Sequence, residues 1–98
     1  MTARELLEEY GYEDVKILDN YSYDSALIGI TEDNRAVYSY QKMVEWLVKE
    51  QGMEELEAIE WIDYNTIRAL PYFGVDAPVV IFELKEENIW VHYKKNWM

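Results

Sequence analysis

The sequence predicts a small α+β domain. Three observations carry that expectation: a length of 98 residues, apolar spacing that switches between helical and strand periods along the chain, and a composition half hydrophobic and 15% aromatic. A chain of this length supports one core, because two would each bury too little apolar surface, so residues 1–98 are read as a single globular domain. The expected order is α-β-β-β-α-α-β-β, a mostly antiparallel sheet with helices packed on one face.

The elements follow in order. Thr2 and Glu5 have the spacing of a capping box, in which a hydroxyl and a carboxylate each satisfy an orphan amide. With Leu6, Leu7 and Tyr10 behind them, they predict a helix ending at Gly11. Val15 and Ile17 flank Lys16 as a strand would, and residues 19–24 supply turn formers. The runs 26–30 and 36–38 are β-rich and separated by Thr31-Glu32-Asp33-Asn34-Arg35, which predicts a hairpin. Ser39 is placed to cap a helix whose apolar face gathers Tyr40, Met43, Val44, Leu47 and Val48, with Glu45 and Lys49 as a supporting i,i+4 pair. Gly52 suits the end of that helix. A second helix is expected from about Met53 until Pro71 stops it. Residues 79–84 and 89–93, joined by 85–88, read as a second hairpin.

Composition excludes several function classes. No cysteine is present, so there is no disulfide framework, thiolate metal site or thiol nucleophile. No apolar run approaches the length of a membrane span, and the first residues lack the pattern of an export signal. The expected setting is cytoplasmic. Twenty acidic against nine basic residues give a net charge of -11, a field that repels nucleic acid and anionic membranes and favours a cationic protein partner. No phosphate loop, nucleophile elbow, dinucleotide fingerprint or zinc-protease motif occurs. His92, the one histidine, is expected on a strand face. The stretch Asp19–Asp24 fails as a calcium loop, since tyrosines hold positions that need oxygen ligands. No enzyme activity, cofactor or metal is expected.

The second long helix carries the candidate site. On a helical wheel Leu56, Ala58, Ile59, Ile62, Thr66 and Ala69 share one side, leaving Glu54, Glu57, Glu60, Trp61, Tyr64 and Arg68 on the other. Aromatic side chains among carboxylates suit an anchor for a basic groove. Acids at 50, 54, 57 and 60 recur at roughly 5 to 6 Å, comparable with phosphates along a nucleic acid strand. The partner-binding set is therefore Glu54, Glu57, Glu60, Trp61 and Tyr64, facing a protein with a basic, nucleic-acid-binding type of surface. An ordinary solvated helix face, with Trp61 in the core, fits the same pattern. A second reading is a regulatory domain with a small-ligand pocket near Tyr10, Tyr12, Tyr21 and Tyr23; a third is a homodimer sealed by the aromatic face. A metal-dependent enzyme with clustered carboxylates has the least support.

The words Ala26-Leu27-Ile28-Gly29-Ile30, Asp33-Asn34-Arg35-Ala36-Val37-Tyr38, Gly52-Met53, Glu57-Ala58-Ile59-Glu60 and Tyr64-Asn65-Thr66-Ile67-Arg68-Ala69-Leu70-Pro71-Tyr72 resemble those of small acidic bacterial and prophage proteins. That resemblance implies no substrate or catalytic residue. In size and acidity the chain is also similar to phage-encoded inhibitors such as anti-CRISPR proteins, which implies a mobile-element inhibitor that occupies a partner's basic surface.

Overall fold

The computed structural model describes residues 2–18 and 23–84. The first helix, α1 (Ala3–Glu9), starts with the expected capping box: the Glu5 N–H donates to Thr2 Oγ1 at 3.1 Å and the Thr2 N–H to Glu5 Oε1 at 2.9 Å. It ends in a Schellman turn. The Gly11 N–H donates to the Glu8 carbonyl and the Tyr12 N–H to the Leu7 carbonyl, with Gly11 at φ 88°, where a side chain would be strained. Asp24, in a short 3-10 turn (Asp24–Ala26), accepts the Ala3 N–H at 2.9 Å and ties the start of α1 to the next layer.

Strands β1 (Leu27–Ile30) and β2 (Ala36–Ser39) form the expected antiparallel hairpin, with a bulge between Leu27 and Gly29. Its turn closes through Thr31, whose hydroxyl accepts the Arg35 N–H at 2.9 Å, and Asn34 takes the left-handed conformation at φ 63°. Strand β2 runs directly into α2 (Tyr40–Gln51), capped by Ser39 Oγ, which accepts the Lys42 N–H at 3.3 Å. Gly52, at φ 70°, closes α2 by donating to the Leu47 carbonyl.

Three expectations about the elements need correction. Val15–Ile17 form no strand, because side chains satisfy this stretch of backbone in place of a ladder. The Arg4 guanidinium donates to the carbonyls of Glu13 (2.9 Å) and Val15 (2.8 Å), and the Leu18 N–H donates to Tyr38 Oη at 3.2 Å. The sheet is mixed rather than mostly antiparallel: its order is β1-β2-β3, and β3 (Val79–Ile81) runs parallel to β2, with Val37 opposite Val79 and Ser39 opposite Ile81. A helical crossover between β2 and β3 returns the chain to the same end, which is what parallel pairing requires. The strand expected at 89–93, its turn and His92 lie outside the described residues.

The third correction concerns the helix after Gly52. It begins as α3 (Glu55–Trp61), loosens into a π turn (Ile62–Thr66) in which the Ile67 N–H reaches the Ile62 carbonyl, and tightens into a 3-10 helix (Ile67–Phe73). Pro71 sits inside that last segment and does not end it. The α ladder is already gone well upstream, so the missing N–H of proline breaks nothing that was there. The chain turns away at Gly74 instead, at φ 93°.

The core gathers one face of the sheet and the inner faces of the helices. Ala36 and Tyr38 of β2, Met43, Val44 and Leu47 of α2, and Ile62 at the start of the π turn are fully buried, joined by Leu7 of α1 and Ala58 and Ile59 of α3. Leu47→Ala is expected to cost about 2–5 kcal/mol. Val48, expected on this face, is 37% exposed, and Glu45 and Lys49 do not approach within ion-pair distance; among the described residues Lys16–Asp76 is the pair that does, at 2.7 Å.

Two side-chain devices tie α2 to its neighbours. The buried Gln41 amide donates to the Glu83 carbonyl at 2.9 Å and accepts the Glu83 N–H at 3.1 Å. It pairs with extended backbone as a neighbouring strand would, just where β2 has become helix and has no ladder left to offer. Tyr40, also buried, donates to Asp63 Oδ1 at 3.4 Å. Burial first, then the charge and hydrogen bond of Asp63, push its phenol well above the usual tyrosine range.

Gln41→Ala is expected to destabilise the fold by about 1–2 kcal/mol in urea titration, since a part-buried N–H and C=O lose their partners; a loss under about 0.5 kcal/mol would mean water replaces the clamp. The raised Tyr40 pKa means the unfolded chain releases this proton first. Stability should therefore fall as pH rises above about 10, on the order of 1 kcal/mol per pH unit, and Tyr40→Phe should flatten that part of the curve.

Candidate functional site

The acidic face begins at the turn between α2 and α3. Glu54 precedes the first turn of α3 and its N–H donates to Glu57 Oε1 at 3.3 Å. Three carboxylates, on Glu54, Glu55 and Glu57, thus crowd the positive end of the α3 dipole, where acidic side chains stabilise a helix. Glu54, Glu57 and Glu60 are all exposed, and among the described residues no lysine or arginine lies within ion-pair distance of them. Their charge is turned outward and is not neutralised by a neighbour.

Glu50 does not continue this row on one helix. It belongs to α2, and the Gly52 turn separates it from Glu54, so the even spacing expected from 50 to 60 holds within α3 alone. The two aromatic residues also divide. Tyr64 is 65% exposed, on the π turn, with the Arg68 guanidinium stacked 4.2 Å from its ring centroid; the cation covers one ring face. Trp61 is half-buried and packs against the core. On the wheel, Leu56 and Trp61 flank the arc of Ala58, Ile59 and Ile62 on opposite sides, each roughly 110° from its centre. The long indole reaches the core from that flank, whereas Leu56, expected inside, remains 46% exposed. The outward set is thus Glu54, Glu57, Glu60 and Tyr64, and Trp61 is turned toward the core.

Asn65 and Arg68 have structural tasks here. Asn65 Nδ2 donates to the Trp61 carbonyl at 3.2 Å, a group the π turn has released from the α ladder. Arg68 holds Tyr64. Trp46, on the flank of α2, is half-buried and meets Tyr23 edge-on, 5.6 Å between centroids.

The four tyrosines expected around one ligand pocket are not together. Tyr10 and Tyr12 line a mainly apolar groove of about 360 Å³ between α1 and β1, with Leu6 and Ile28. Tyr23 lines a separate cleft under the π turn, and Tyr21 lies outside the described residues. Among the described residues, no three histidines or carboxylates are arranged to hold a metal ion, and no helix is long and apolar enough to cross a membrane.

The cap at α3 separates the structural from the electrostatic role of Glu57. Glu57→Gln keeps an acceptor for the Glu54 N–H and should leave stability within about 0.5 kcal/mol, whereas Glu57→Ala should cost about 0.5–2 kcal/mol, read as the shift in a urea unfolding midpoint. Comparison with known protein families, curated proteins and solved structures found no match to this chain.

Proposed function

We propose that the chain is a non-enzymatic, cytoplasmic protein-binding module of the mobile-element inhibitor type, which presses the acidic face of α3 onto a basic, nucleic-acid-binding surface of its partner. The observation that carries this reading is the outward, unneutralised row Glu54, Glu57 and Glu60, continued by the exposed ring of Tyr64. A net charge of -11 steers cationic partners toward the molecule and keeps nucleic acid away. The Arg68 guanidinium stacked on the Tyr64 ring restrains it, so less rotamer freedom is left to lose on docking. Arg68 is compatible with this role because it covers the ring and does not pair with the row.

Glutamine substitutions test the face while preserving the helix start. The triple variant Glu54→Gln, Glu57→Gln, Glu60→Gln should lower affinity for a captured basic partner by about tenfold or more, roughly 1.4 kcal/mol. Binding by the unaltered chain should weaken with salt and be competed by double-stranded DNA. Neutralising three acids on α1 (Glu5, Glu8 and Glu9) serves as the charge-matched control. Equal weakening by both triples, or none by the first, would refute the α3 face as the docking surface.

A further inference from the structure

A cleft of about 340 Å³ opens between the 15–18 segment, Tyr23 and the π and 3-10 turns. This is within the range of small-molecule sites. Its polar lining is assembled from three places in the sequence, Lys16, Tyr23 and the adjacent pair Asn65 and Thr66, and Ala69 and Phe73 add apolar surface. Two backbone irregularities create that wall. The π turn delivers Asn65 and Thr66 side by side, and Tyr23 is held at φ 49°, a left-handed conformation uncommon outside glycine. Such irregularities cost energy and concentrate where a side chain must be aimed.

The hydrogen-bonding capacity of the wall is partly unspent. Lys16 Nζ donates to the Phe73 carbonyl and pairs with Asp76 Oδ1 at 2.7 Å, which leaves one of its three N–H groups. Asn65 spends one N–H on the Trp61 carbonyl, and its amide oxygen and second N–H make no bond to the described residues. The hydroxyl of the buried Thr66 has the Tyr23 hydroxyl as a partner at a long 3.4 Å. The cleft is therefore lined by a cationic donor, an amide edge and a hydroxyl, with apolar contact from Ala69 and Phe73 beside them.

Charge decides the ligand class. The Lys16 ammonium is balanced by Asp76, whose carboxyl it holds below the usual carboxylate range through their hydrogen bond, and the whole chain is strongly negative. An anion would gain little from Lys16 and would meet the field of the molecule. We infer that the cleft binds a small, uncharged ring compound with hydrogen-bond acceptor and donor atoms along one edge, of the nucleobase or aromatic carboxamide class. The acceptor meets Lys16, the edge meets Asn65 and Thr66, and the ring lies against Ala69 and Phe73. This site is separate from the acidic face of α3 and does not depend on it.

Adenine and nicotinamide are the probes, with benzoate as the anionic counterpart, titrated to about 10 mM, above the millimolar constants usual for weak ring ligands, while amide resonances are followed by NMR. The expected result is saturable movement of Asn65, Thr66 and Ala69 with at least one neutral probe, and weaker movement with benzoate. Ala69→Phe should fill the cleft and Lys16→Met remove its donor, each weakening the neutral probe by tenfold or more while the thermal midpoint confirms the fold. Asp76→Asn should free the ammonium and improve benzoate binding. The triple glutamine variant of α3 should bind the neutral probe unchanged, so that failure here and failure of the acidic-face reading are told apart. No saturable movement with either neutral probe, benzoate binding as well as the better of them, or full affinity in folded Ala69→Phe and Lys16→Met variants would each overturn the proposal.

Discussion

Strand β2 passes into α2 at Ser39 with no residue between them, and the segments packed around that passage are tied to it. Upstream of it, Ala36 and Tyr38 are wholly buried, and the backbone is paired on both sides, by β1 and by β3. Downstream, the same chain direction carries Met43, Val44 and Leu47 into the core. Ser39 ends one hydrogen-bond scheme and starts the next, its backbone in the ladder and its hydroxyl on the Lys42 amide. Side chains around this junction then reach outward: Tyr38 to Leu18, Tyr40 to Asp63 and Gln41 to Glu83. A junction without a loop leaves no slack, so the positions of the 15–18 segment, the π turn and the chain beyond β3 are fixed by three residues near one point.

What was legible in the sequence is what local chemistry decides. Thr2 with Glu5, Gly11, Asn34, Ser39 and Gly52 each act within a few residues of themselves, and each does what its type and spacing predict. The departures around the sheet involve partners far away. Val15 and Ile17 have strand character, yet Arg4 takes the Val15 carbonyl and Tyr38 the Leu18 N–H. The direction of β3 depends on how the helices return the chain, which periodicity cannot express. The π turn rests on one residue of surplus, invisible to a wheel drawn at constant pitch.

The candidate site was legible to the same degree. Exposure of Glu54, Glu57 and Glu60 follows from helical period alone, because solvation of carboxylates asks nothing of distant residues. Trp61 sits at the flank of the wheel, where the size of a neighbour's side chain decides burial, and the indole turned inward. The break between Glu50 and Glu54 was announced by Gly52 itself. The cleft beneath the π turn had no sequence signal, since its walls come from residues 16, 23, 65 and 66.

A π turn is an α-helix that has accepted one residue more than its ladder needs. Between Ile62 and Thr66 this surplus rotates everything that follows by roughly 100° relative to an uninterrupted helix. Removal of a single residue there would restore a regular helix and swing Thr66, Ala69 and Phe73 away from Lys16 and Tyr23, closing the hollow without touching the core made by Ala58 and Ile59. The length of the chain at this one point thus sets whether the cleft exists, independently of the scaffold beneath it.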